Sequence, residues 1–171
     1  NEEIIDPKRE IVSTGSISLS NPFAPDQPTI FRDWKAHGAV DLRRALAVSS
    51  NVYFYEVGGG FGSQSGLGIN RIDQYSRLFG LGAPTGINWV NESSGVIPTP
   101  DWKERVFPGD PWRIGDTYHT AIGQYGFQVS PIQIVRALSS IVNNGLLRNP
   151  SIIKGKEGEV YNIGTDDEIS N

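Results

Sequence analysis

The 171-residue chain has no cysteine and no methionine. The first absence excludes disulfides, thiolate catalysis and cysteine zinc sites, and leaves the compartment open. The second departs from an open reading frame, which begins with Met, so the chain reads as a trimmed protein or a piece of a longer one; Asn1-Glu2-Glu3 is an odd place to begin. No apolar run approaches the roughly 20 residues of a transmembrane helix, and no signal peptide or anchor is visible. Basic residues do not predominate: 15 Lys and Arg stand against 19 Asp and Glu, a net charge of -4. Without a long basic run, neither nucleic acid nor an anionic membrane surface is an implied partner. What is present, 37% hydrophobic and 10% aromatic residues, suits a single globular domain with a real core.

The stretch Asp41 to Gly60, DLRRALAVSSNVYFYEVGGG, reads as two helices meeting at a polar elbow, Ser49-Ser50-Asn51. Asp41 caps the first helix, in which Leu42, Ala45, Leu46 and Ser49 recur at helical spacing on one face. Asn51 caps the second, Val52 to Val57, which is expected to stop at Gly58-Gly59-Gly60 because glycine accepts a left-handed helix end. A serine and an asparagine two residues apart are thereby held between rigid elements. For an isolated S-x-N, capping alone explains both residue types.

Elsewhere the chain alternates helix signals with loops. Asn1 to Arg9 reads as a helix tail ending at Asp6-Pro7, Ile17 to Ser20 as a short half-exposed strand, and Asn21 to Pro28, with three prolines, as a loop. Gly58 to Gly68 holds six glycines but no phosphate-binding pattern, and a flexible connection is expected. Asn70 is expected to cap a helix carrying Ile72, Tyr75, Leu78 and Phe79 and ended by Gly80. Leu81 to Pro111, which includes Trp89 and Trp102, reads as a long ordered loop. Ser130, Pro131, Gln133 and Val129 together mark the clearest helix start, and Asn143-Asn144-Gly145 its stop, with Ala137, Leu138, Ile141 and Val142 expected on its buried side. Gly155 to Gly158 suggests a turn between strands Ser151–Lys154 and Glu159–Ile163, followed by a loose end from Thr165.

In order, these landmarks are FRDWKAHGAVDLRRALAVSSNVYFYEVG, GLGINRIDQYSRLFGLGAPTGI and WRIGDTYHTAIGQYGFQVSPIQIVRALSSIVNNG. S-x-N, a tyrosine-rich helix, F-G-x-G, G-D-T, I-G-Q and an [ST]-P-x-Q helix in that order resemble the transpeptidase domain of class B penicillin-binding proteins, most like the penicillin-binding protein 2 group. The resemblance covers nearly the whole chain. It implies an α+β fold of which residues 1–171 are one partial domain, mainly helical, with most of the sheet missing and apolar helix faces left exposed. It also implies serine acyl transfer on the D-alanyl-D-alanine end of a peptidoglycan stem peptide, with β-lactams as mimics of the donor, at the extracytoplasmic face of a bacterial membrane to which the parent is anchored. Ser49 would bond the catalytic lysine and relay a proton, and Asn51 would orient substrate through its amide, roles that suit a hydroxyl and an amide. Wall-synthesis proteins, or a complementary chain of the same domain, are the implied partners.

The family's S-x-x-K nucleophile and K-T-G strand are expected before residue 1 and after residue 171. The chain's own Ser151-Ile152-Ile153-Lys154 begins after Asn149-Pro150 and carries two β-branched residues, which argues for extended chain and against a nucleophile-bearing helix. Ser13-Thr14-Gly15 lacks the lysine of K-T-G. Gly115, Asp116 and Thr117, with Gly123 and Gln124, match a family signature and are expected to be structural, Asp116 and Thr117 capping a turn and Gln124 bonding backbone. Asp33 and His37 have the spacing of two ligands on a helix face, but two ligands do not make a zinc site, so no metal and no cofactor is assigned. Asn91-Glu92-Ser93 fits a glycosylation pattern that is uninformative outside a eukaryotic secretory context. The alternatives to a transpeptidase are a β-lactamase or β-lactam sensor of the same fold, and a non-catalytic scaffold of the wall-synthesis machinery.

Overall fold

The computed structural model describes residues 4–21, 24–87 and 91–164. Trp89 and the chain end from Thr165 lie outside the described residues. The architecture is α+β, with helices interspersed among two-stranded antiparallel sheets. The chain divides into two compact units, Asn1–Ile72 with Pro100–Tyr125, and Asp73–Thr99 with Gly126–Asn171.

In the first unit, β1 (Ile11–Ser13) pairs with β4 (Gly38–Val40), and β2 (Ser16–Leu19) with β3 (Thr29–Arg32). Gly15, at φ +98°, separates β1 from β2, so these two consecutive strands belong to different sheets. Registers of Ile11 with Val40 and Ile17 with Phe31 place these four apolar side chains in the core. Helix α1 (Leu42–Val48) is capped by the Asp41 carboxylate, which accepts from the Arg44 N–H at 2.8 Å, as its sequence suggests. On the face read as apolar, Ala45 is buried while Leu46 is exposed.

Helix α2 (Asn51–Gly59) differs from expectation at both ends. Ser50, not Asn51, is its N-cap, because the Ser50 oxygen lies 3.4 Å from the Tyr53 N–H it accepts. At the other end, Gly58 and Gly59 continue the helix and Gly60 closes it. A Cβ at Gly58 would collide with Cβ of Ala121, and one at Gly59 with the Tyr118 ring. The glycines therefore permit close approach of α2 to α5 (Ile114–Ala121) instead of ending α2. The packing is sealed by Phe31, edge-on to Tyr118 at 4.9 Å, and by the Tyr118 hydroxyl donating to Gly60 O at 2.6 Å. The glycine-rich segment that follows is an ordered turn: Phe61 and Gln64 exchange backbone bonds, and Gln64 Nε2 donates to Ile4 O at 2.9 Å.

Helix α3 (Ile69–Leu78) begins one residue before Asn70, and Gly80 follows its end at φ +78°. A further helix, α4 (Pro100–Val106), occupies part of the stretch read as loop. Its signal was Pro100 followed by Asp101, a proline and an acid in the first turn, with Lys103 and Arg105 in the last. Lys103 is buried and donates to Asp116 Oδ2 at 2.7 Å and to Pro111 O at 3.0 Å, tying α4 to the start of α5. Burial opposes the charge on Lys103, but bonds to Asp116 and Asp110 outweigh it and hold the ammonium above the usual lysine range.

In the second unit, α6 (Pro131–Val142) starts with the capping box expected: Ser130 accepts from the Gln133 N–H at 3.3 Å, and Gln133 Oε1 accepts from the Ser130 N–H at 2.8 Å. The expectation for its faces is overturned. Gln133, Arg136 and Ser140 are buried, whereas Leu138 is 58%, Ile141 62% and Val142 78% exposed. Polar residues are inside because each finds partners there: Gln133 Nε2 donates to Ala83 O at 2.6 Å and Ser94 O at 3.0 Å, and the Arg136 guanidinium to Arg148 O and Asn149 Oδ1. Beyond α6, β6 (Val160–Asn162) pairs with β5 (Leu146–Arg148), not with Ser151–Lys154, which is irregular.

Candidate functional site

The polar elbow joins the C-terminus of α1 to the N-terminus of α2. Ser49 is exposed and left-handed, at φ +54° and ψ +52°, a conformation few non-glycine residues adopt. Its N–H still bonds back to α1, at Leu46 O, as does that of Ser50, at Ala45 O. Ser49, Ser50 and Asn51 line a pocket of about 250 Å³ together with Phe54 of α2 and Ala121 and Ile122 at the end of α5. The close packing of α2 on α5 that Gly58 and Gly59 permit therefore also sets the width of this pocket. A larger cavity of about 630 Å³ lies within the second unit, against Ser151, Asn149 and Gly86, and holds none of the elbow residues.

The three elbow residues play different parts. The hydroxyl of Ser49 has no hydrogen-bond partner among the described residues, so it is available to a ligand. Ser50 is fully buried and donates to Asp33 Oδ2 at 2.8 Å. Asn51 Nδ2 donates to Arg32 O at 3.3 Å.

In the sequence Asp33 stands out only beside His37, at the spacing of two ligands on a helix face. It lies in the β3–β4 connection, where Oδ2 accepts from Ser50, from Ser13 at 3.2 Å and from the Val52 N–H at 3.0 Å, while Oδ1 accepts from the Trp34 N–H at 2.9 Å. His37 Nε2 approaches Oδ1 at 3.5 Å, so Asp33 and His37 do meet, though in a loop and not on a helix face. Burial works against the Asp33 charge, yet the bonds from Val52, Ser50, Asn51 and Trp34 outweigh it and hold its carboxyl below the usual aspartate range. A negative charge at the first turn of α2 is also favoured by the helix dipole. No local sequence signal marks these contacts, which join residues 17 and 19 positions apart.

The second group of candidate residues lies on α5 and the turn after it. Asp116 accepts from the Arg113 N–H and from buried Lys103, both at 2.7 Å, and Thr117 Oγ1 accepts from Trp112 Nε1 at 2.9 Å. Gly115 lies against Phe31, whose Cζ would be 2.8 Å from an added Cβ. Gly123, at φ +74°, and Gln124, whose N–H donates to His119 O at 2.8 Å, form the turn that ends α5 and borders the pocket at Ile122. Among the described residues, no three His, Asp or Glu side chains gather as a metal site would need.

The sequence profile described as "Penicillin binding protein transpeptidase domain" matches residues 9–169. The chain is 37% identical over 161 residues to the peptidoglycan D,D-transpeptidase MrdA of Haemophilus influenzae, covering 93% of this chain and 23% of that protein. With MrdA of Escherichia coli K12 it shares 35% over 131 residues, 75% of this chain and 20% of the relative. The chain thus spans between a fifth and a quarter of these curated relatives. The solved structure of a penicillin-binding protein (PBP2) in complex with MreC from Helicobacter pylori superposes with a TM-score of 0.79 at 29% identity, over 96% of this chain and 28% of that one.

Proposed function

The chain belongs to the penicillin-binding protein transpeptidase domain family, and we propose that it forms the S-x-N wall of a D,D-transpeptidase active site in peptidoglycan cross-linking. The observation that carries this reading is that Ser49 and Asn51 line the same pocket, in a chain that matches the family over residues 9–169. In the proposed reaction, a serine outside this chain attacks the penultimate D-alanyl carbonyl carbon of a stem peptide. The C–N bond breaks, terminal D-alanine leaves with a proton on its amine, and the amine of a second strand then displaces the serine oxygen. Ser49 relays the proton through its unengaged hydroxyl, and Asn51 orients the peptide by its side-chain amide. A β-lactam takes the donor's place and stops at the acyl-enzyme.

In this reading the full-length protein is anchored at the extracytoplasmic face of the membrane and works with wall-synthesis proteins of the MreC kind, a partnership supported by the Helicobacter pylori structure that holds PBP2 with MreC. In the full-length protein, Ser49→Ala is expected to lower the rate of acylation by a fluorescent penicillin by about a hundredfold, the scale of lost proton transfer. Unchanged acylation and undiminished wall growth would instead favour the scaffold reading. The 171-residue chain alone is expected to stay unlabelled, since Ser151 of its S-x-x-K sits in an exposed irregular segment bonded to Ile153.

A further inference from the structure

Three consecutive residues, Arg32, Asp33 and Trp34, grip the elbow from α1 to α2. The Trp34 indole N–H donates to Val48 O at 3.0 Å, immediately before Ser49. The Asp33 carboxylate takes Ser50 and the Val52 N–H, immediately after it. Arg32 O accepts from Asn51 Nδ2 and from the Tyr55 hydroxyl, each at 3.3 Å. Ser49 is thus the one elbow residue left unheld by its side chain, and its left-handed backbone is fixed from both sides by bonds to one tripeptide. A strained conformation of this kind persists only where its surroundings over-determine it.

Resting on the transpeptidase reading, we infer that Asp33 is a positioning residue, which holds Ser49 and Asn51 in reactive geometry by anchoring Ser50, the middle residue of the motif. The chemistry selects a carboxylate. Oδ2 accepts three donors at once, and Oδ1 a fourth from the backbone of Trp34. An asparagine at 33 offers a single acceptor oxygen and turns an NH2 donor toward the remaining N–H or O–H groups. Ser50 is equally specific: its hydroxyl donates to Asp33 while accepting from the Tyr53 N–H, so one side chain links the buried charge to the cap of α2. The middle position of S-x-N in this protein therefore transmits position, its hydroxyl being engaged by Asp33 and the Tyr53 N–H. Trp34 remains 61% exposed, and its indole bond secures the Val48 side of the same elbow.

The test uses the full-length protein and stopped-flow acylation by a fluorescent penicillin, which separates the limiting acylation rate from the half-saturating concentration. Ser50→Ala, which breaks a hydrogen bond to a charged group, is expected to lower the limiting rate about tenfold with half-saturation within about threefold of wild type. Ser50→Thr, which keeps the hydroxyl, restores the rate. Asp33→Asn lowers the rate further, and adding Ser50→Ala to it costs little more, since the two residues act as a unit. Rates are referred to the folded fraction, so that mere instability, which lowers the amount of active protein and not its rate, is told apart. Unchanged limiting rates in Ser50→Ala and Asp33→Asn, or additive losses in the double variant, overturn the positioning role. A wild-type protein that is not acylated at all overturns the transpeptidase reading beneath it.

Discussion

Ser49 has a left-handed backbone that costs of order 1 kcal/mol for a residue with a Cβ. The bonds around it compensate, and two of them, from the Ser50 hydroxyl and the Val52 N–H, end on Asp33. Because the folded protein holds Asp33 below the usual aspartate range, near 3.9, this group binds a proton more readily in the unfolded chain. Its stabilising contribution is therefore complete above about pH 4 and is lost as pH falls through the depressed folded value. Asp33→Asn should lower stability at pH 7 by about 2 kcal/mol and flatten the fall in stability between pH 4 and more acid conditions. Urea midpoints measured across that range check both effects, and a variant with the wild-type acid profile would assign the carboxylate no such part. The sequence showed Asp33 only as one half of an unconvincing metal pair, because a hydrogen bond across 17 residues leaves no periodic trace.

At the scale of elements, the packing of α2 on α5 decides where the elbow stands relative to Ala121 and Ile122. Gly58 and Gly59 lie inside α2, where glycine costs about 1 kcal/mol relative to alanine. Helix propensity alone would make Gly59→Ala stabilising. The Tyr118 ring occupies the space an added Cβ needs, and overpacking of this kind costs about 1–3 kcal/mol, so sterics win. Gly59→Ala is expected to lower the thermal midpoint and to weaken acylation in the full-length protein by shifting α5 from the pocket; an unchanged or raised midpoint would show that the two helices are free to separate. The helix capped by Ser130 was legible because four signals lie within six residues. Helix α4 is hidden among glycine, proline and tryptophan, although Pro100 and Asp101 announce it.

Over the whole molecule, the apolar stripe of α6 is the largest departure from the expected burial. Ile134, Val135, Leu138, Ile141 and Val142 are exposed along it, and soluble proteins seldom leave such a row uncovered without a partner. The 171-residue chain should self-associate at micromolar concentration, and Leu138→Glu with Ile141→Glu should return it to a monomer in sedimentation velocity runs. Equal sedimentation of both forms would place any association elsewhere. An exposed apolar surface was anticipated, but not that these residues would form it, because helical periodicity marks an apolar face without saying what that face meets.

Local chemistry in the sequence determined the helix caps at Asp41 and Ser130, the polar elbow, the family and the α+β class, since each depends on neighbours in the chain or on the order of motifs. Tertiary structure alone decided that Ser50 and not Asn51 caps α2, that paired glycines bring α2 onto α5, that α6 turns its polar stripe inward, and that Asp33 anchors the elbow. These rest on contacts between residues distant in sequence, where the partner of a buried polar group is set by the fold and not by spacing.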